Sequence, residues 1–206
     1  MIENIDLYLP KYLSAEAEKI LLSEIRAFPE NIDTRLFTTY LQREAVVFQG
    51  DGLRQMPIVD LTIDSEIKYA NAMVFSNTCD IDPDNKRNFP SQIVYAPIIA
   101  LSKYENLLRA NSKKSSIQID DHIADIKRQR ITQIFYLPKS PNGTDASIVF
   151  LDRTLNVNNE FVSRDELPNR RIFTLSDYGI YLFITKLSIH FTRIQDKVER
   201  RAHSPN

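Results

Sequence analysis

The apolar positions of this chain change period along its length, and each change marks an element. After Ser14, residues Ala17, Ile20, Leu21, Ile25 and Phe28 recur at three- and four-residue steps until Pro29, which predicts an amphipathic helix over 15–27 with Ser14 as its N-cap. Residues 1–10 alternate in part and read as a short edge strand, and 37–41 as another short element. The run 45–49 is β-branched and aromatic and ends at Gly50-Asp51-Gly52, a strand leading into a turn; 58–63 alternates and predicts the next strand. Then Ala72-Met73-Val74-Phe75 stops abruptly in a run of small polar groups, Ser76-Asn77-Thr78-Cys79-Asp80, as a buried strand with a polar end would.

A polar loop over 82–90 separates that strand from one over 92–101, where Pro97 cannot donate to a ladder and so requires an edge or a bulge. A short helix over 102–111 follows, then an amphipathic one over 117–130, with Ile119, Ile123 and Ile126 on one face and Asp120, Asp121, Lys127, Arg128 and Arg130 on the other. Residues 133–137 and 146–151 predict a hairpin turning at Pro141-Asn142-Gly143, and 155–162 and 170–175 two further strands. Ser176 or Asp177 caps a last helix over about 178–200, roughly 35 Å long at ~1.5 Å per residue. Its apolar seam is Ile180, Ile184, Leu187, Phe191, Ile194 and Val198. A helix of that length outruns a small barrel, so its distal end is expected to dock on a protein partner or a second copy.

The elements add up to an α+β fold in one domain over 1–206: a mostly antiparallel curved sheet or small barrel from 44–101 and 131–176, an N-terminal helix, a helical insert at 102–130 and a long C-terminal helix at 177–201. A 206-residue chain with 43% hydrophobic residues can fill such a core. Its 26 basic and 27 acidic residues give a net charge of −1, so any polyanion must be held by a local patch rather than a global field. With one cysteine, no signal-like N-terminus and no apolar run long enough to span a bilayer, a cytoplasmic protein without membrane association is expected. Four glycines and no glycine-rich nucleotide-binding motif leave no cofactor indicated.

The single cysteine lies in the polar run, and rigid strand ends hold sites well. In one reading Cys79 or Asp80 is a nucleophile or base, with Thr78 beside them and Ser76 and Asn77 orienting a substrate. In the other, Cys79 is a small buried hydrophobe and Asn77, Thr78 and Asp80 bond to their own turn. A Cys-dependent hydrolase needs an imidazole, and the chain offers His122 beside Asp121, His190 bordering the seam and His203 in the tail. Residues 80–85 open like a calcium loop, but Asn85 stands where glycine is required and Ser91 where glutamate is required; no metal site is expected. Basic residues gather at Lys113, Lys114, Lys127, Arg128 and Arg130, and again at Arg164, Arg170 and Arg171, near Phe135, Tyr136, Phe161 and Phe173. That pattern suits single-stranded RNA, or else cations covering ordinary surface while the aromatics fill the core.

Gly50-Asp51, Ala72-Met73-Val74-Phe75-Ser76, Ile93-Val94-Tyr95-Ala96-Pro97-Ile98 and a terminal helix together resemble the skeleton of MazF/PemK-type proteins. The resemblance implies an SH3-like barrel and a dimeric endoribonuclease of a bacterial toxin–antitoxin or phage-defence system. Gly50, Asp51, Ser76 and Pro97 match structurally. Gln49 departs from the family's arginine, and the insert over 102–130 makes the chain larger than usual. On that footing Asp80 would activate a ribose 2′-hydroxyl while Arg128 or Arg171 neutralises the phosphate. The competing expectation is a non-enzymatic subunit docking through its last helix.

Overall fold

The computed structural model describes residues 14–59, 67–142 and 144–192. The expected strand over 1–10, positions 60–63, Gly143, Ile194, Val198 and His203 lie outside them. Among the described residues eight strands form one antiparallel sheet: β1 (Phe37–Thr38), β2 (Gly52–Val59), β3 (Ile67–Val74), β4 (Gln92–Ala100), β5 (Ile134–Leu137), β6 (Ser147–Phe150), β7 (Leu155–Asn158) and β8 (Arg171–Leu175). The order is β1-β8-β2-β3-β4-β6-β5, with β7 also on β4. The helices are α1 (Ala15–Arg26), α2 (Ile32–Arg35), α3 (Leu101–Asn111), α4 (Ser116–Lys127), α5 (Leu167–Arg170) and α6 (Asp177–Thr192). The fold is therefore mixed α+β, with an open sheet where a closed small barrel was the other expectation.

The end of β3 from Ala72 and the middle of β4 from Ile93 to Ala96 are apolar without alternation because both faces of the sheet are covered there. Met73, Phe75 and Ala96 join the core that includes α4 and α6, while Ala72, Val74, Ile93 and Tyr95 pack on the opposite side with Val47, Ile81, Val162 and Leu167. β4 is the hub. Tyr95 pairs with Val74 of β3 and with Leu155 of β7, and farther along Ile98 pairs with Val149 of β6. Pro97 falls where the β7 ladder gives way to the β6 ladder, so its missing N–H costs no bond in a central strand.

Two expectations fail here for physical reasons. Residues 45–49 are not a strand: Val46 O accepts from the buried guanidinium of Arg171, as do the carbonyls of Leu41, Gln42 and Glu44 just before it, while Phe48 N–H donates to the Asp51 carboxylate and Gln49 N–H to the Thr78 hydroxyl, so these groups are lost to any ladder. β2 instead begins at Gly52, directly after the turn, and bulges between Leu53 and Met56 with Gln55 at φ +58°. The second failure concerns α6. It buries Tyr178, Gly179, Phe183 and Lys186, a stripe one residue behind the expected seam and so turned by about 100°. Ile180 and Leu187 flank that stripe, whereas Ile184 and Phe191 face outward at 39% and 62% exposure.

Candidate functional site at the end of β3

The chain leaving β3 is pinned from three sides. Val74 N–H donates to Asp51 O at 2.8 Å, and Val74 O accepts from Gly50 N–H at 2.9 Å, in a turn where Gly50 takes φ +87°. Phe75 N–H donates to Val94 O at 2.7 Å. The Ser76 hydroxyl donates to Gln92 O at 3.1 Å and accepts from Val94 N–H at 2.7 Å, tying the strand end to β4. Thr78 Oγ1 accepts from Gln49 N–H at 3.0 Å, and the Gln49 amide donates to Phe75 O at 2.7 Å. Asn77 Oδ1 accepts from Cys79 N–H at 2.9 Å and caps a 3₁₀ turn over Thr78–Asp80. Ser76, Asn77 and Thr78 thus have their side chains engaged with backbone.

Cys79 and Asp80 project from that turn. The Cys79 thiol is exposed, contrary to the buried-hydrophobe expectation, because Ile81 is the residue the turn inserts into the core. Asp80 accepts from the guanidinium of Arg87, with both side chains about half exposed. As a surface pair it adds little stability, so its carboxylate and guanidinium are available to a ligand. A cleft of about 490 Å³ opens here, lined by Ser76, Asn77, Asp80, Arg87, Gln92, Leu187 and Phe191. A second cleft of about 290 Å³ shares Arg87 and Ser91 with it and adds Lys86, Phe89, Asn158, Asn159 and Arg164. Phe89 is 83% exposed in the cleft that Lys86, Arg87 and Arg164 also line.

The arginines singled out in the sequence go elsewhere. Arg171 is fully buried: its Nε donates to Asp51 Oδ2 at 3.0 Å and its Nη atoms to the carbonyls of 41–46. Asp51 also accepts from Phe48 N–H at 2.9 Å and from the Thr174 hydroxyl at 2.7 Å. Burial pushes its carboxyl up to about 6 against the pull of Arg171 and these bonds, which leaves it mostly ionised at neutral pH. Arg170 fills the β2 bulge, donating to the carbonyls of Arg54 and Gln55 at 3.2 Å. Arg164 braces the second cleft, donating to Ile81 O at 2.9 Å and Val162 O at 2.7 Å. Arg128 is the exposed C-cap of α4 and lines neither cleft. Of the aromatics set beside these cations, Phe135, Tyr136 and Phe173 are core.

No histidine of the described residues lines either cleft. His122 meets the Tyr104 hydroxyl at 3.1 Å between α4 and α3, where burial lowers its pKa, and His190 packs edge-on against Phe191. Sequence reasoning passed over Lys86, Arg87 and Phe89 by reading 82–90 as a polar loop; the cation-cation-aromatic order in the six residues before β4 was the available signal. Among the described residues, no group of three or more His, Cys, Asp or Glu gathers as a metal site would, and no helix is long and apolar enough to cross a membrane. Compared with known proteins, the chain matches no family model and no curated sequence.

Proposed function

We propose that this chain is an RNA-directed module of the MazF/PemK kind, acting in a bacterial toxin–antitoxin or phage-defence setting, with its site in the cleft at the end of β3. One observation carries the reading: two clefts meet at Arg87 and Ser91, one lined by Lys86 and the exposed ring of Phe89, the other by the Asp80 carboxylate and the exposed ring of Phe191. Cations along a groove hold phosphates, and exposed aromatic faces stack unpaired bases. Arg87 takes the phosphate-neutralising role that the sequence had offered to Arg128 or Arg171. In cleavage, Asp80 accepts the proton of a ribose 2′-hydroxyl as its oxygen attacks the adjacent phosphorus, the 5′-oxygen leaves and takes a proton from water, and Arg87 neutralises the charge that builds on the phosphoryl oxygens.

Incubation of purified protein with total bacterial RNA tests this. Discrete cleavage by the wild type that disappears in Asp80→Asn and Arg87→Ala, yet persists in Cys79→Ala, is the expected pattern. RNA left intact by the wild type would remove the nuclease reading, and cleavage requiring Cys79 alone would shift the site to a thiol.

A second reading rests on α6. Ile184, Ile189 and Phe191 remain exposed on it, which is the condition under which the helix serves a protein partner or a second copy. Light scattering distinguishes self-association from a monomer, and Phe191→Asp should dissolve any dimer formed through that face.

A further inference from the structure

Lys186 is an unusual residue for the buried face of a helix. It is 7% exposed, and no carboxylate lies within ion-pair distance of it among the described residues. Its Nζ donates to Gln129 O and to Gln129 Oε1, each at 2.8 Å. Gln129 is itself fixed: it takes φ +58°, its Nε2 donates to Tyr136 O at 2.8 Å, and its Oε1 accepts from Tyr136 N–H at 3.1 Å. The amine is thereby held at the wall of a cavity of about 190 Å³ lined by Phe28, Phe135, Leu182, Ile189 and the hydroxyl residues Thr132 and Thr185. No other charged side chain lines it. Thr185 and Ile189 are exposed, so the cavity opens to solvent beside them.

An ammonium here would carry three N–H groups where Gln129 supplies two acceptors, and burial without a counter-charge lowers the Lys186 pKa to about 7. A neutral amine fits without remainder. Its two N–H groups go to the two Gln129 oxygens, and the tetrahedral nitrogen directs its lone pair away from them. We propose that Lys186 is a nucleophilic lysine and that its cavity takes a small apolar aldehyde or ketone as an imine. Nζ adds to the carbonyl carbon, the C=O π pair passes to oxygen, and that oxygen gains a proton lost from nitrogen. The carbinolamine then expels its hydroxyl as water when C=N forms, so amine and carbonyl give imine and one water with no redox change. The cavity is of the order of the ~150 Å³ apolar void that accepts benzene, which sets the ligand at one ring or a short branched chain.

The test is benzaldehyde with cyanoborohydride to trap the imine on the full-length protein at pH 7.5, mapped by peptide mass spectrometry. Most of a surface lysine is protonated at that pH, so adduct at Lys186 should form at least about tenfold faster than at the average exposed lysine. Glyoxylate, a charged aldehyde, should lose that preference. Lys186→Met should abolish the fast adduct. Ile189→Trp keeps the amine but fills the cavity and should slow it about tenfold, with circular dichroism confirming that each variant is folded. Adducts spread over exposed lysines with no excess at Lys186, or a Lys186 rate that is indifferent to Ile189→Trp in a folded variant, would overturn the proposal.

Discussion

Arg171 shows why a charged side chain at a candidate site must be followed to its partners. All three of its nitrogens donate to acceptors within the protein, and the Asp51 carboxylate balances its charge. Asp51→Asn would leave that guanidinium buried without an anion, so it should cost about 3–5 kcal/mol in urea unfolding. Thr174→Val, which removes one hydrogen bond to the same buried carboxylate but leaves the ion pair, should cost less, about 1.5–3 kcal/mol. Lys186 presents the opposite case, a buried amine with no carboxylate beside it among the described residues. Its folded pKa of about 7 lies below the 10.5 of an exposed lysine, so between those values the unfolded chain binds the proton that the folded chain has released. Stability from this group therefore rises as pH climbs from about 7 towards 10.5 and is lowest below that window. Relative to Lys186→Met, the wild type should gain stability across that interval; urea midpoints that move in parallel for the two proteins would contradict this.

At the scale of elements, α6 was visible as a helix but not in its rotation. Apolar residues lie nearly all round it, so periodicity could not choose a face, and a lysine in the buried stripe is discounted by any hydrophobicity count. Gly179 fixes the choice: a Cβ built there would lie 2.2 Å from the Leu36 carbonyl oxygen, because the start of the helix rests directly on that backbone. Gly179→Ala should accordingly destabilise by about 1–3 kcal/mol, a strain cost rather than a gain in helix propensity, as measured by thermal or urea unfolding. The element at 45–49 failed differently. Its β-branched pattern was genuine, but a carbonyl can accept either from a ladder or from Arg171, and nothing local reveals a residue more than 120 positions away. By contrast α1 follows its expected cap, Ser14 Oγ accepting from Ala17 N–H at 3.2 Å, and β5 and β6 form the expected hairpin, because those signals are local.

Over the whole molecule, the sheet and its hub strand were legible because two-sided burial leaves a continuous apolar run at 72–75 and 93–96, and because Pro97 could fall only at an interruption. The candidate site was legible in part. The polar strand end at 76–80 is real, but the groups that face solvent around it come from the loop at 86–89 and from α6, which sequence order does not bring together. An RNA site at the end of β3 is best tested by fluorescence anisotropy of a single-stranded RNA oligonucleotide titrated with the protein at several salt concentrations. Binding should weaken steadily with salt. The Lys86→Ala/Arg87→Ala double variant should bind more weakly and lower the logarithmic salt slope by about 1.4, at ~0.7 per lost phosphate contact, while Arg128→Ala changes neither. Wild-type protein that leaves the anisotropy unchanged, or a double variant with the wild-type affinity and slope, would contradict an RNA site at the end of β3.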